Sequence, residues 1–370
     1  MPATGSLLSF RDCYVIPAVN IFCVLSPRKS RMSVSAALLH PKSFLISLRQ
    51  TKAEYVFLAI VAVFCICGGI VASHRGLHWP FLEIASSYWV ASAIVISVFV
   101  PVATYVLAKG RLSAALIRSF ALNLLTYLSL IPFLIAFSQI KTGIYLFPGW
   151  NFDPQQAAID KMIHFGRDAW EMYQPVLSVM SFADASYAYH GLWAASLNLG
   201  PAIAMAIDRD RARVKAGIAC YLFIWIGLGI GLAALFHSFG PAFYGSILGD
   251  DGQFATLAQE QARGDFSSTM FSHSVQWLTQ EWDNGLRLTG AGISAFPSIH
   301  VAMATLSAIY LASVSRWLLV PGLVYLAVIQ VFSVLSGLHY AIDGYVSIIA
   351  VALTWLYFRR YLFLKGTAEP

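Results

Sequence analysis

Charged residues are scarce in this 370-residue chain: Asp, Glu, Lys and Arg together make up 11%, against 58% hydrophobic residues. Soluble domains carry nearer a quarter. The shortage excludes a disordered chain, a coiled coil and an ordinary soluble enzyme, and it points to the lipid bilayer as solvent. Cysteine is sparse too. Cys13, Cys23, Cys65, Cys67 and Cys220 all fall outside the segments read as lying on the outer side of the membrane, so no disulfide framework is expected. Cys65 and Cys67 sit inside an apolar run and read as small buried residues, not as a redox or metal pair. The first 31 residues lack the basic, apolar and small-residue order of a signal peptide. Leu7–Ser26 is moderately apolar, but Arg11, Asp12, Pro17 and Asn20 break it as a span. Residues 1–50 read as a cytoplasmic tail, and Met32 is a candidate true start within it. Residues 51–370 read as one integral-membrane unit. There is no internal repeat and no nucleotide or metal motif, so no cofactor is expected.

A spanning helix needs about 20 mostly apolar residues. Eight segments qualify: 55–73, 86–108, 117–138, 189–207, 216–236, 298–314, 317–338 and 342–358. The net charge of +6 reads as topology, not as nucleic-acid binding, because the basic residues sit in short loops between apolar runs. With the N-terminus inside, only Arg75, Lys141, Lys161, Arg167, Arg263 and Arg287 fall on the outer side; every other Lys and Arg is inner. The outer side holds most of the acids, Asp153, Asp160, Asp168 and Asp343 among them. This asymmetry predicts an all-α polytopic bundle of about eight membrane helices with both termini inside. Two long outer segments, 139–188 and 237–297, are rich in aromatic and polar residues. Such loops line sites, cap a bundle, or do both.

Chemistry concentrates in residues 290–344. A glycine-rich loop runs into Phe-Pro297-Ser298-Ile-His300 and then an apolar span. Proline suits the first turn of a helix, which places Ser298 and His300 in that turn. The free N–H groups and the positive dipole end there favour a phosphate or another anion. The second stretch is His339-Tyr-Ala-Ile-Asp343. A spacing of four predicts one helical face, within contact distance, and a carboxylate beside an imidazole fixes its tautomer and raises the basicity of the far nitrogen. One hairpin of spans returns His300 and His339 to the same membrane face. Two imidazoles at an anion-binding helix start suit phosphoryl transfer, one attacking phosphorus and the other protonating the leaving oxygen. The residue types permit either assignment of the two roles; the Asp partner favours His339 as nucleophile. A lone interfacial His is usually just a side chain at the boundary, as His40, His74, His78, His164 and His273 read. Two His and one Asp can also ligate a metal, but the Pro-Ser-Ile-His helix start is better explained by phosphate.

Phe-Pro297-Ser298-Ile-His300 and His339-Tyr-Ala-Ile-Asp343 resemble the second and third signature motifs of the lipid phosphate phosphatase superfamily, the type 2 phosphatidic acid phosphatases. The Ala-Phe-Pro-Ser-Ile-His form, with Gly240-Pro241-Ala-Phe-Tyr244 after the fifth span, is most similar to the branch of inositol phosphorylceramide synthase and its bacterial relatives. The signatures cover about 300–343 closely and the membrane plan about 190–358. The resemblance implies a six-helix phosphatase-like core and an integral-membrane enzyme acting on a lipid phosphoester at the outer face. It further implies His339 as the nucleophile that becomes phosphohistidine, Asp343 as its orienting partner, and His300 as general acid. Ser298 and nearby N–H groups would hold the phosphate. The acceptor would be an alcohol such as a polyol, or water. The expected setting is a bacterial inner membrane with a periplasmic site. The superfamily's first motif, Lys, six residues, then Arg-Pro, has no counterpart, because the chain contains no Arg-Pro dipeptide. A cation is still required to neutralise the phosphate. Lys141, Lys161, Arg167, Arg263 and Arg287 are the outer candidates, with Arg287, just before the glycine-rich loop, the first choice. Tyr189, His190 and His237 lie at outer ends of spans, where interface packing is their simplest role. A transporter for a phosphorylated solute is the reading from another class, but no inverted repeat or pair of broken helices favours it.

Overall fold

The computed structural model describes residues 41–77, 125, 128–143, 151–208, 210–250, 252–286 and 288–364. The expected 86–108 span, most of the N-terminal tail and Arg287 lie outside the described residues. The chain is an all-α membrane bundle, without a β-strand among the described residues. Among the described residues, four helical stretches are long and apolar enough to cross a bilayer: Tyr55–Arg75, Ala212–Leu235, Arg316–Leu335 and Ala341–Arg360. At about 1.5 Å per residue, the 20 residues of the shortest of them match a hydrocarbon core of about 30 Å.

Helix α1 (Pro41–Arg75) packs along α2 (Leu130–Gly143). Gly68 makes this close, since a Cβ there would lie 2.7 Å from the Cα of Ala136. In lipid, small residues at helix contacts replace the hydrophobic drive that water would supply. After the outer helices α3 (Asp153–Ile163) and α4 (Ala169–Tyr173) comes α5 (Phe182–Ile207). Its start lies seven residues before the expected 189. Ser181 and Asp184 explain the difference: the Ser181 hydroxyl accepts from the Asp184 N–H at 3.1 Å and donates to its carboxylate at 2.8 Å, a local cap that carries the helix past the apolar run. Asp265 adds a remote cap, accepting from the N–H groups of Phe182 and Ala183.

Helix α6 (Arg211–Leu222) is capped by Asp210, which accepts from Ala212 and Arg213 N–H. It continues through a π-helical stretch, Phe223–Leu232, to a last turn at Ala233–Leu235. Outer helices α7 (Tyr244–Leu248), α8 (Ala255–Arg263) and α9 (Met270–Asp283) follow. Then come the last three apolar helices, α10 (Ile299–Val314), α11 (Leu319–Leu335) and α12 (Ala341–Leu364); α10 is shorter than the four spans. Helix α10 is the central one: Val301, Ala302 and Ala304 are fully buried among α5, α6, α11 and α12. The short outer helices form a cap over that end of the bundle. Its core joins Trp170 of α4, Leu257 of α8 and Tyr340, the residue before α12.

Candidate active site

Two helix starts meet under this cap. The first is α10. The glycine-rich loop before it rests on the C-terminal turn of α2: Gly290 N–H donates to Thr142 Oγ1 at 3.1 Å, and a Cβ on Gly292 would lie 2.7 Å from the Lys141 carbonyl oxygen. Ser298 is the N-cap, its hydroxyl accepting from Val301 N–H. Pro297 therefore precedes the cap instead of opening the helix, a correction to its expected place. The reason is that Ser298 supplies the capping oxygen, which leaves the first helical position to Ile299 and the second to His300. N–H groups at those positions have no carbonyl within the helix to bond, so the anion-binding character of this terminus remains.

The second start is α12. His339 and Asp343 do meet, Nδ1 to Oδ2 at 3.3 Å, but not on one helical face as expected. His339 and Tyr340 lie in the loop, and the helix begins at Ala341. Asp343 Oδ2 reaches back to accept Tyr340 N–H at 3.0 Å, as an acidic third residue does in a capping box. The backward reach that caps the helix also brings the carboxylate to His339. The Asp343 side chain is fully buried, and its Oδ1 has no hydrogen-bond partner.

The two starts are joined by backbone. Ser298 N–H donates to the Asp343 carbonyl at 3.2 Å. The buried Ser347 hydroxyl lies within hydrogen-bonding distance of the Ser298 and Asp343 carbonyls, at 2.9 and 2.7 Å. The rings of His300 and His339 stand 6.0 Å apart, centroid to centroid. Tyr189 stacks on His300 at 5.0 Å and Trp193 lies against it at 4.3 Å. So His339, His300, Asp343 and Ser298 are gathered at one end of the bundle. Tyr189 serves His300 as packing. His190 bonds the Ser186 carbonyl and His237 the Ile293 carbonyl. Burial lowers the His237 imidazole from its ordinary range, although Asp153 nearby pulls the other way.

Of the outer cations, Arg287 lies outside the described residues. Lys161 pairs with Asp168 at 3.7 Å, Arg263 with Glu260 at 3.9 Å, and Arg167 is exposed. Lys141 differs from these. Its Nζ donates to the Ser294 carbonyl at 3.5 Å, inside the glycine-rich loop, and its charge lies within electrostatic reach of His300 and His237. Among the described residues no three His, Cys, Asp or Glu side chains form a metal-binding cluster. Asp343 sits behind the His339 ring, on Nδ1, and does not converge with His300 on a common point.

Sequence reasoning counted Asp153 and Asp160 only as outer acids, and did not single out Ser347 or Tyr340. Asp153 is buried; it accepts from Phe239 N–H (2.7 Å), Gly240 N–H (2.8 Å) and Tyr340 Oη–H (2.8 Å). Asp160 accepts from Ile342 N–H at 2.9 Å. Two acids seven apart, on either side of a proline at the helix start, were the available signal.

A membrane helix bundle with paired imidazoles and a carboxylate at adjoining helix starts defines an integral-membrane enzyme of the phosphate-transferring kind. The sequence profile of the PAP2 superfamily matches residues 157–357, more than half of the chain and both helix starts, and the chain belongs to that superfamily, the type 2 lipid phosphate phosphatases. Among curated proteins and solved structures none matches it.

Proposed function

We propose that this enzyme, a phosphatase or phosphotransferase of the PAP2 type, cleaves a lipid phosphoester at the outer face and passes the phospho group through His339 to an alcohol. The observation that carries the reading is the meeting of His339, Asp343 and His300 at two helix starts, with one imidazole backed by a buried carboxylate. In the first half-reaction His339 Nε2 attacks phosphorus. The N–P bond forms as the P–O bond to the leaving alcohol breaks, and His300 gives that oxygen its proton. In the second half-reaction an acceptor hydroxyl gives its proton to His300 and attacks phosphorus, and the N–P bond breaks. Asp343 stabilises the charge on the His339 ring throughout. Ser298 and the N–H groups of Ile299 and His300 hold the phosphate oxygens. Lys141, with Arg287 as the other candidate, supplies the cation in place of the missing first motif.

Two features support transfer to an alcohol, as in the inositol phosphorylceramide synthase-like branch: the Ala-Phe-Pro-Ser-Ile-His form, and the aromatic walls of Tyr189 and Trp193 beside His300, which limit water. Charge asymmetry supports a site opposite the basic loops, on the periplasmic face of a bacterial inner membrane. The test uses purified wild type and His339→Ala in detergent, a radiolabelled lipid-phosphate panel, and inositol or glycerol as acceptor. Wild type is expected to form a new labelled lipid only when acceptor is present, and His339→Ala to lose at least about 10³-fold in turnover. Free phosphate alone, unaffected by acceptor, would make the chain a hydrolase. Turnover unchanged in His339→Ala would end the phosphohistidine mechanism.

A further inference from the structure

Helix α3 lies outside the two signature stretches, and its first residues, Asp153 included, precede the region matched by the superfamily profile. Asp153 and Asp160 are two turns apart on it and therefore share a face; both are buried. A buried carboxylate needs partners; apart from His164 at the end of α3, whose Nδ1 lies 3.8 Å from Asp160 Oδ1, the partners of this pair lie on the segments that frame the site. Asp153 holds two backbone N–H groups at Phe239 and Gly240 and the hydroxyl of Tyr340, the residue after His339. Asp160 accepts from Ile342 N–H, and Ala341 N–H beside it also favours the charged carboxylate. These are the first two helical residues of α12, whose N–H groups have no partner within the helix. With Asp343 taking Tyr340 N–H, three carboxylates hold the backbone and side chain of residues 340–342.

The helix is fixed in turn. Phe152 N–H donates to the His237 carbonyl at 2.8 Å, and Gln156 Nε2 to the Phe236 carbonyl at 3.1 Å. His164, at the C-terminus of α3, lies with Nε2 3.0 Å from the Tyr345 hydroxyl of α12. Gly240 belongs to the same arrangement. It has φ +102°, and a Cβ there would lie 2.7 Å from the carbonyl oxygen of Leu338, the residue before His339. Residues on both sides of His339 are thus held by α3 or by the segment to which α3 is bound.

We propose that Asp153 and Asp160 are positioning residues that clamp residues 340–342 and so aim the His339 imidazole at the incoming phosphorus. The clamp rests on the reading of His339 as nucleophile. Neither carboxylate touches the reacting atoms; each acts through the backbone or Tyr340. Burial pushes both carboxyls above their ordinary range, against the pull of their donors. Burial also holds the Tyr340 phenol well above its own range, so that it remains a donor to Asp153. Remote capping by an acid recurs at α5 through Asp265, away from His339, and supplies an internal control for a merely structural role.

The test compares full-length Tyr340→Phe, Asp160→Ala, Asp160→Asn and Asp265→Ala with wild type in mixed micelles of radiolabelled phosphatidic acid, with inositol or glycerol as acceptor. It measures kcat, KM, thermal stability and amide hydrogen exchange by mass spectrometry. Tyr340→Phe removes a single hydroxyl from a retained ring, so it preserves the fold even if Asp160→Ala does not. The expected result is a kcat about 10- to 100-fold lower in Tyr340→Phe and Asp160→Ala. KM should stay within about twofold, and exchange should quicken over residues 338–344. Asp160→Asn, which keeps an acceptor oxygen, should recover most of both losses. Asp265→Ala should quicken exchange at the start of α5 without lowering kcat per folded molecule. Unchanged exchange over 338–344 overturns the clamp whatever the activity. Quickened exchange with unchanged kcat per folded molecule in an active wild type overturns it as well. A wild type inert toward this lipid, with the exchange changes present, would overturn this choice of substrate and leave the hold on residues 340–342 standing without its role in aiming His339.

Discussion

At the residue scale the proposed chemistry turns on a single 3.3 Å contact, Nδ1 of His339 to Oδ2 of Asp343. A neutral imidazole is a weak nucleophile for phosphorus; a carboxylate behind it orients the ring and stabilises the charge that develops on it. The contact is buried, which strengthens the electrostatic interaction, and Asp343 has a second duty in capping α12. Asp343→Asn tests the first duty while largely keeping the second, since an amide oxygen can still accept Tyr340 N–H. We expect kcat to fall by about 10²-fold or more with little change in KM, measured as turnover of labelled lipid phosphate. A fall in KM affinity with kcat preserved would move Asp343 from chemistry to substrate binding. His339 and His300 were legible as a pair because the motifs fix their types and the hairpin fixes their side. Their packing was not, because Tyr189 and Trp193 come from a span more than 100 positions away in the sequence.

At the element scale, the starts of α10 and α12 do the arranging. Each is closed by its own capping residue, Ser298 or Asp343, and Ser347 with the Ser298 N–H ties one to the other. The loop before α10 is seated on α2 through Gly292, where backbone meets backbone too closely for any side chain. Gly292→Val would push a Cβ into the Lys141 carbonyl. The neighbour is main chain rather than a flexible side chain, so the loop must move. We expect a loss of about 1–3 kcal/mol in stability and a larger loss in turnover, because Ser298 and His300 follow the loop. Thermal unfolding and kcat measured on the same preparation check this; full activity would show that the loop does not set the helix start. Helix periodicity predicted that His339 and Asp343 touch, and they do. The wrong element was credited, because a loop that turns back onto a capping acid brings together residues four apart as readily as one helical turn.

At the scale of the whole molecule, charge and hydropathy set the frame. Long apolar stretches must cross or be buried, and basic loops stay inside. The fold gives this frame two distinguishable ends. Phe165 is 92% exposed in the outer cap, and Trp317 is 74% exposed in the short turn between α10 and α11. Single cysteines at these positions, in a background with the native cysteines replaced, should react oppositely with a membrane-impermeant maleimide added to intact cells. Phe165→Cys should be labelled and Trp317→Cys protected until the membrane is opened. The reverse pattern would invert the orientation and move the site to the inner face.

By itself the sequence determined the solvent, the helical class and the residue types at the two helix starts. These properties are local or compositional: a run of apolar residues, a capping serine or a spacing of four can be read within a short window. The tertiary structure alone decided which carboxylates hold the segment around His339 and which lysine reaches the glycine-rich loop. It also decided that His339 sits just off its helix. The physical reason is that helix termini leave N–H groups unsatisfied, and in a membrane protein with little water to bond them the fold must bring acceptors from remote segments. Asp153 and Asp160 find their donors 80 or more positions away, at a distance where no periodicity connects partner to partner.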